Sequence, residues 1–339
     1  MNIGIITFYW SKNLGALIQS FSLRKFLEEL SVKNKVKFVN YQQKQIVSRE
    51  FNSQLKTLNP IKYFKAKKKN RRLIDWKESH NFPKPSFAPA IFNDDIYVYG
   101  SDEIWNFQSS IFYIDKHFFG LNNKKEKVAY AISIGNAKDF NKIDDDIVKN
   151  LKSFKNISVR DNNTFDFVKK FIGSHSQIVC DPSLLLEIPP KNINLNLSQN
   201  SNYALVYGSY FSKKEIKNIK NYAFKNDLKV ISASYYNLWS DINILDANPN
   251  EFVYLIQNAK IVFTSMFHGV ILSFKYKKNF WFSQDPYRIN KLSFFIKKFN
   301  LHSRSIENLD HIKINYKIFD SSLEDWIETS KEYLRKNIV

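Results

Sequence analysis

The chain has one cysteine, Cys180, in 339 residues. A single thiol cannot close an internal disulfide, and no Cys/His cluster has the spacing of a structural zinc site. A disulfide-stapled scaffold is therefore excluded, and a cytosolic protein that needs no metal and no cofactor is expected. No apolar run approaches the roughly 18 residues that a membrane span requires. The opening "MNIGIITFYW" has neither the basic flank nor the cleavage site of a signal peptide and looks like a strand. Acidic residues are in short supply, with 32 against 51 basic ones and a formal net charge of +19. Glycine is scarce too, so each of the 8 present asks for a reason, Gly15 in "TFYWSKNLGA" first of all.

What is present is enough for real cores: 44% hydrophobic and 16% aromatic residues exclude disorder as the main state. The length suggests two lobes. Strand-like runs at Ile3 to Phe8, Val36 to Asn40, Ile96 to Gly100, Val128 to Ile132, Ile157 to Arg160 and Gln177 to Cys180 alternate with helix-like ones. The first of these helices, Leu14 to Leu30, repeats apolar residues at helical spacing. A second alternation runs from Tyr203 to Phe299, with strands at Tyr203 to Tyr207, Lys229 to Ala233, Ile261 to Phe263 and Asn279 to Phe282. The expected fold class is α/β, two Rossmann-like lobes facing a cleft. The expected division is 1–187 for the N-terminal lobe, 188–202 for a linker and 203–310 for the C-terminal lobe. A helix in 311–339 is expected to pack back on the first lobe. Residues 42–90 break the rhythm as a polar, basic insertion with one helix around Arg72 to Ser79.

In open α/β sheets, ligands bind beyond the carboxyl ends of the strands. Four such junctions carry unusual residues. Asn13 and Gly15 follow the first strand at a helix N-terminus, where unpaired N–H groups suit an anion; a plain cap and a close helix approach explain them equally well. Ser101, Asp102, Trp105 and Asn106 follow "IYVYG", with a carboxylate for hydroxyl groups and an indole face for a sugar; Asp102 could equally cap a helix. Arg160 ends "ISVR" with a planar fork for a carboxylate or phosphate, or else pairs with Asp161 or another acid. Ser265, Phe267, His268 and Gly269 put a hydroxyl and an imidazole at a second helix N-terminus. The other five histidines look like ordinary loop or surface residues.

"NLGALIQSFSLRKFL", "GSDEIWN", "SVRD", "CDPSLLL", "TSMFHGVILSFKYKKNFW" and "YRINKLSFFIKKFNLHSR" occur in an order and spacing that resemble the polysaccharide pyruvyl transferase family. The resemblance implies the two-lobed glycosyltransferase B architecture, with an acceptor side in the first lobe and a donor side in the second. It implies transfer of the three-carbon unit of phosphoenolpyruvate to two hydroxyls of a sugar or lipid-linked oligosaccharide, giving a ketal and phosphate. On that basis His268 is assigned to phosphate binding and proton delivery, and Asp102 to hydroxyl activation. Arg160, Ser265, Phe267, Gly269, Asn13 and Gly15 are expected at the donor, and Trp10, Ser101, Trp105 and Asn106 at the acceptor. One position departs from the pattern: Met266 stands where some relatives carry Arg, so either another cation such as Lys12, Arg24 or Arg288 supplies that charge, or this branch handles a different donor.

The basic run Lys65, Lys67, Lys68, Lys69, Arg71 and Arg72 fits either a solvated helix face or one of three kinds of partner: nucleic acid, an anionic membrane or a phosphorylated molecule. No aromatic interleaving, helix-turn-helix or zinc module supports nucleic acid. Peripheral contact with the inner face of a membrane through 65–72 is the expectation for a cytoplasmic enzyme of this kind.

Overall fold

A computed structural model describes residues 1–43, 46, 60–109, 114–173, 176–193, 202–284, 286–309 and 312–338, without the side chains of 60–62 and 286–289. Most of the linker expected at 188–202, part of the basic insertion, His175, His311 and the Arg288 side chain thus lie outside the described residues.

Two parallel sheets carry the chain. Strands β1 (Asn2–Ile6), β2 (Lys35–Phe38), β3 (Ile96–Tyr99), β4 (Glu126–Ile132), β5 (Asn156–Val159) and β6 (Gln177–Ile178) lie in the order β2-β1-β3-β4-β5-β6. Strands β7 (Tyr203–Tyr207), β8 (Lys229–Ala233), β9 (Ile242–Ile244), β10 (Ile261–Thr264) and β11 (Phe280–Phe282) form the second sheet, β11-β10-β7-β8-β9. In both sheets the order doubles back beside the first strand, and this is where a doubly wound fold opens its crevice. Strand β3, "IYVY", is buried at all four positions, as a central parallel strand covered on both faces must be. Its tyrosines keep their hydroxyls paired: Tyr97 accepts from the Asp94 N–H at 2.7 Å and Tyr99 from Asn123 Nδ2 at 3.0 Å.

Helix α1 (Leu14–Glu29) starts where Asn13 Oδ1 accepts from the N–H groups of Gly15 and Ala16, at 2.8 and 3.2 Å, an ordinary N-cap worth about 1 kcal/mol. The helix expected at Arg72 to Ser79 is far longer, α2 running Pro60–Ser79. Lys and Arg are good helix formers, and proline is tolerated in a first turn; the run of charge simply hid the helical period. Two further helices in the first lobe, α3 (Asp145–Leu151) and α4 (Asn162–Phe171), escape the sequence reading, as does the short strand β9.

The second lobe adds α5 (Lys213–Lys225), α6 (Pro249–Asn258), α7 (Phe267–Lys275) and α8 (Pro286–Lys298). The last helix, α9 (Asp320–Ile338), lies against the first sheet. Its Trp326 indole donates to the Ile178 carbonyl at 3.2 Å, Tyr333 to the Ala129 carbonyl at 3.0 Å, and Ser330 Oγ accepts from the Cys180 N–H at 2.8 Å.

Candidate active site

The carboxyl ends of three strands of the first sheet, β3 and, beyond β4, β5 and β6, deliver three charged side chains to one place. Asp102 follows β3, Arg160 follows β5 and Asp181 follows β6. Arg160 is buried and donates to Asp181 Oδ2 at 2.9 Å and to Asp102 Oδ1 at 3.4 Å. Ser101 Oγ donates to the same Asp181 oxygen at 3.2 Å. Asp181 also receives the Ser183 N–H at 3.0 Å on its other oxygen, which lies 3.5 Å from His268 Nε2. Burial alone would push the Asp181 carboxyl up, but His268, Arg160 and the Ser183 N–H together hold it well below the usual carboxylate range. Asp181 is therefore the hub of the cluster, a role that nothing in the motif "CDPSLLL" marks by itself.

Asp102 itself sits at φ +85°, in the left-handed region that side chains other than glycine seldom adopt. Such strain persists only where surrounding contacts impose it, and here the carboxylate is held by Arg160 and by its neighbour's N–H at 2.9 Å. Arg160 does not pair with Asp161. That acid turns away to cap α4, accepting from Thr164 N at 2.8 Å and Ser133 Oγ at 2.6 Å, and burial raises its pKa.

The second lobe closes on this cluster through the turn between β10 and α7. Thr264 Oγ1 donates to the Tyr207 carbonyl at 2.7 Å and accepts from the Met266 N–H at 3.0 Å, which fixes the turn. A Cβ on Gly269 would lie 2.0 Å from that hydroxyl oxygen, so glycine is needed there. The Phe267 ring then packs across the Arg160 guanidinium, 4.4 Å from centroid to Cζ. His268 is brought against α1, where a Cβ on Gly15 would fall 2.2 Å from its Nδ1. Gly15 and His268, 253 positions apart in the chain, thus meet across the cleft. Ser265 is buried in the same turn against Gly208, whose added Cβ would meet its Oγ at 2.1 Å. Asn13 faces the second lobe as well: its Nδ2 donates to Tyr235 Oη at 3.3 Å, and Tyr207 Oη donates to its Oδ1 at 3.4 Å.

Two buried nitrogens in this cluster, His268 Nε2 and Arg160 Nε, have no hydrogen-bond partner among the described residues. The 3.5 Å approach of Asp181 to the imidazole is too long for a well-formed bond. Unpaired buried nitrogens mark a place where a further polar group would complete the shell.

The acceptor residues expected from sequence are not assembled as a sugar platform. Trp105 is fully buried, its indole donating to the Phe118 carbonyl at 2.8 Å and its ring packed on Phe119 and Phe154; it has no free face, because an indole next to a central strand buries more area inside the core than outside it. Trp10 is buried edge-on to Phe8. Asn106 is buried and donates to Glu103 at 2.9 Å. Glu103 in turn meets Lys291, which α8 sends across from the second lobe. Burial would raise the Glu103 pKa, but Lys291, Arg160 and Asn106 lower it overall. This interlobe pair was missed in sequence because nothing in "KLSFF" marks a lysine that points inward. His117, read as an ordinary loop residue, shares Asp115 with Tyr41, its Nδ1 at 3.0 Å from Oδ1.

Of the cations expected to stand in for the Arg replaced by Met266, Arg24 is spent elsewhere. It donates to the carbonyls of His80 and Asn81 and lies over the rings of Phe38 and Phe82. The basic run 65–72 is in large part engaged by the second lobe. Lys68 and Arg72 pair with Asp246, at 2.8 and 3.4 Å, and Arg72 also with Glu251. Lys69 donates to Ser234 Oγ at 2.7 Å. Among the described residues no group of three or more His, Cys, Asp or Glu side chains is arranged to hold a metal, and no helix is long and apolar enough to cross a membrane.

A doubly wound pair of lobes with the cleft between their strand ends is the two-lobed architecture called glycosyltransferase B. The sequence matches the family "Polysaccharide pyruvyl transferase" over residues 13–282, and the chain belongs to that family. Among solved structures, it is similar to a putative UDP-N-acetylglucosamine 2-epimerase from Listeria monocytogenes, with a TM-score of 0.52 and 9% identity over 99% of this chain and 90% of that one. It is similar also to the UDP-GlcNAc 2-epimerase from Neisseria meningitidis bound to UDP-GlcNAc, with a TM-score of 0.50 and 10% identity over 100% of this chain and 99% of that one. At such identities the likeness speaks for the fold alone. No curated protein matches the sequence.

Proposed function

We propose that this transferase moves the pyruvyl group of phosphoenolpyruvate onto two hydroxyls of one sugar, in a surface polysaccharide or its lipid-linked precursor. The observation that carries the reading is the meeting of His268 and Arg160 around Asp181, each with an unpaired buried nitrogen. Phosphoenolpyruvate brings a carboxylate and a phosphate, for which a guanidinium and the N-terminus of α7 are suited.

In this reading His268 gives a proton to the vinyl carbon, and the cationic carbon so formed is attacked by a sugar hydroxyl. Asp102 takes the hydroxyl proton. Phosphate then leaves, taking the proton held by Asp102, and the second hydroxyl closes the ketal as its own proton returns to His268. Asp181 holds His268 and Arg160 toward one another, and Lys291 is a further cation on the donor side. No metal or cofactor is required for these steps.

A second reading is a nucleotide-sugar glycosyltransferase. It is favoured by Met266 in place of an expected Arg, and by the UDP-GlcNAc bound to the similar fold from Neisseria meningitidis. Labelled phosphoenolpyruvate and labelled nucleotide sugars, each offered with a lipid-linked acceptor, separate the two. Label transferred from phosphoenolpyruvate supports the proposal; transfer from the nucleotide sugar alone sinks it.

A further inference from the structure

Helix α2 has two faces of different character. Lys65, Lys68, Lys69, Arg72 and Trp76 turn toward the second lobe, where Lys65 lies over Tyr236 at 5.8 Å and Trp76 donates to Asn250 Oδ1 at 2.5 Å. On the other side Phe64, Lys67, Arg71 and Ile74 follow one another at steps of three, four and three residues, a single stripe of the helix surface. Phe64 is 68% exposed and Ile74 52%, with Tyr63 at 42% beside them. Lys67 and Arg71 are exposed, and neither makes an ion pair among the described residues.

The inner face explains why part of the charge is there, but it leaves this stripe unaccounted for. Bare apolar and aromatic side chains interleaved with unpaired cations are what a helix lying in a lipid interface needs: the rings and the branched aliphatic chain enter the acyl boundary while the cations reach headgroup phosphates. We propose that the outward face of α2 seats the protein on an anionic lipid surface. An aliphatic Ile74 in the stripe favours lipid over nucleic acid, whose backbone offers it nothing to pack on.

The seat would lie beside the cleft. On its inner side α2 reaches the site's own loops, with Lys77 donating to the Trp10 carbonyl at 2.7 Å and Lys69 to Ser234, next to the Tyr235 that holds Asn13. A lipid-linked acceptor would therefore meet the cleft mouth without leaving the surface. The inference does not depend on which donor the enzyme uses.

The full chain is sedimented with vesicles of phosphatidylcholine alone and with phosphatidylglycerol added. Wild type is expected to partition onto the mixed vesicles only, and less as salt rises. The double variants K67E/R71E and F64S/I74S should each lower partitioning about tenfold or more. R72A, on the inner face, should change it less than about twofold. K67Q/R71Q repeats the charge test with the mildest change to an exposed helix face. Wild type that ignores anionic vesicles, or outward-face variants that partition as wild type does, would overturn the proposal. So would tight retention of an RNA duplex, with no vesicle binding, that the same variants abolish.

Discussion

Arg160 and helix α2 are both cationic, yet they use charge in opposite ways. Arg160 is one guanidinium, buried and boxed in by two carboxylates and the Phe267 ring. Helix α2 carries eight lysines and arginines, and three of them, Lys68, Lys69 and Arg72, are matched to Asp246, Glu251 and Ser234 on the other lobe. A charge out of water must be fully partnered and is then fixed in direction, whereas a surface charge is screened and worth little singly. The density of Lys and Arg in the sequence therefore points away from the reaction centre. The cation at the centre of the candidate site, Arg160, stands alone just past the end of a strand.

The comparison can be broken most strongly at the buried end. His268→Gln should lower turnover by about a thousandfold, the scale of a lost general acid, with little change in melting temperature. Phosphate release from phosphoenolpyruvate in the presence of acceptor measures it, and a loss below tenfold would remove His268 from the chemistry. Asp181→Asn should cost about 3–5 kcal/mol of stability, because it leaves buried Arg160 without its shorter ion pair.

That variant also has a pH signature. The folded-state pKa of Asp181 is depressed, so its stabilisation is complete above the unfolded carboxylate value of about 4 and is lost as pH falls toward the folded value. Urea unfolding should show wild type losing stability below about pH 4 more steeply than Asp181→Asn. Parallel curves would mean that Asp181 is not held ionised by its neighbours.

Gly15→Ala tests the close approach between lobes. The new Cβ would sit 2.2 Å from the His268 ring, and overpacking of that kind costs about 1–3 kcal/mol. Turnover should fall by about a hundredfold, more than that stability loss would explain, because the displaced group is the imidazole itself. Equal losses in activity and folded fraction would reduce Gly15 to a packing position. The smallest effect belongs to the surface: neutralising Lys67 and Arg71 together should leave thermal stability within about 0.5 kcal/mol. A larger drop would show that the outward face of α2 has a structural partner.

The β-branched and aromatic runs made most strands legible, and a loop after each core strand was enough to place Asp102, Arg160 and His268 at strand ends. Asn13 was legible as a cap, and it is one. Trp105 misled because an indole near a strand end reads the same whether its face meets a sugar or Phe119. Asp181 was missed because its role depends on residues 21 and 87 positions away. Helix α2 was cut short because one side of its charge is satisfied by acids in the other lobe, which no local period reveals.

By itself, the sequence determined two parallel sheets, their helices and the turns at which polar groups collect, since these follow from local apolar period, caps and breakers. Only the tertiary structure decided that Gly15 would press on His268, that one carboxylate would serve both Arg160 and His268, and that half of a basic helix would face its own protein. Those outcomes depend on which buried charges find partners across the cleft, and desolvation makes such pairings count only once the two lobes have packed.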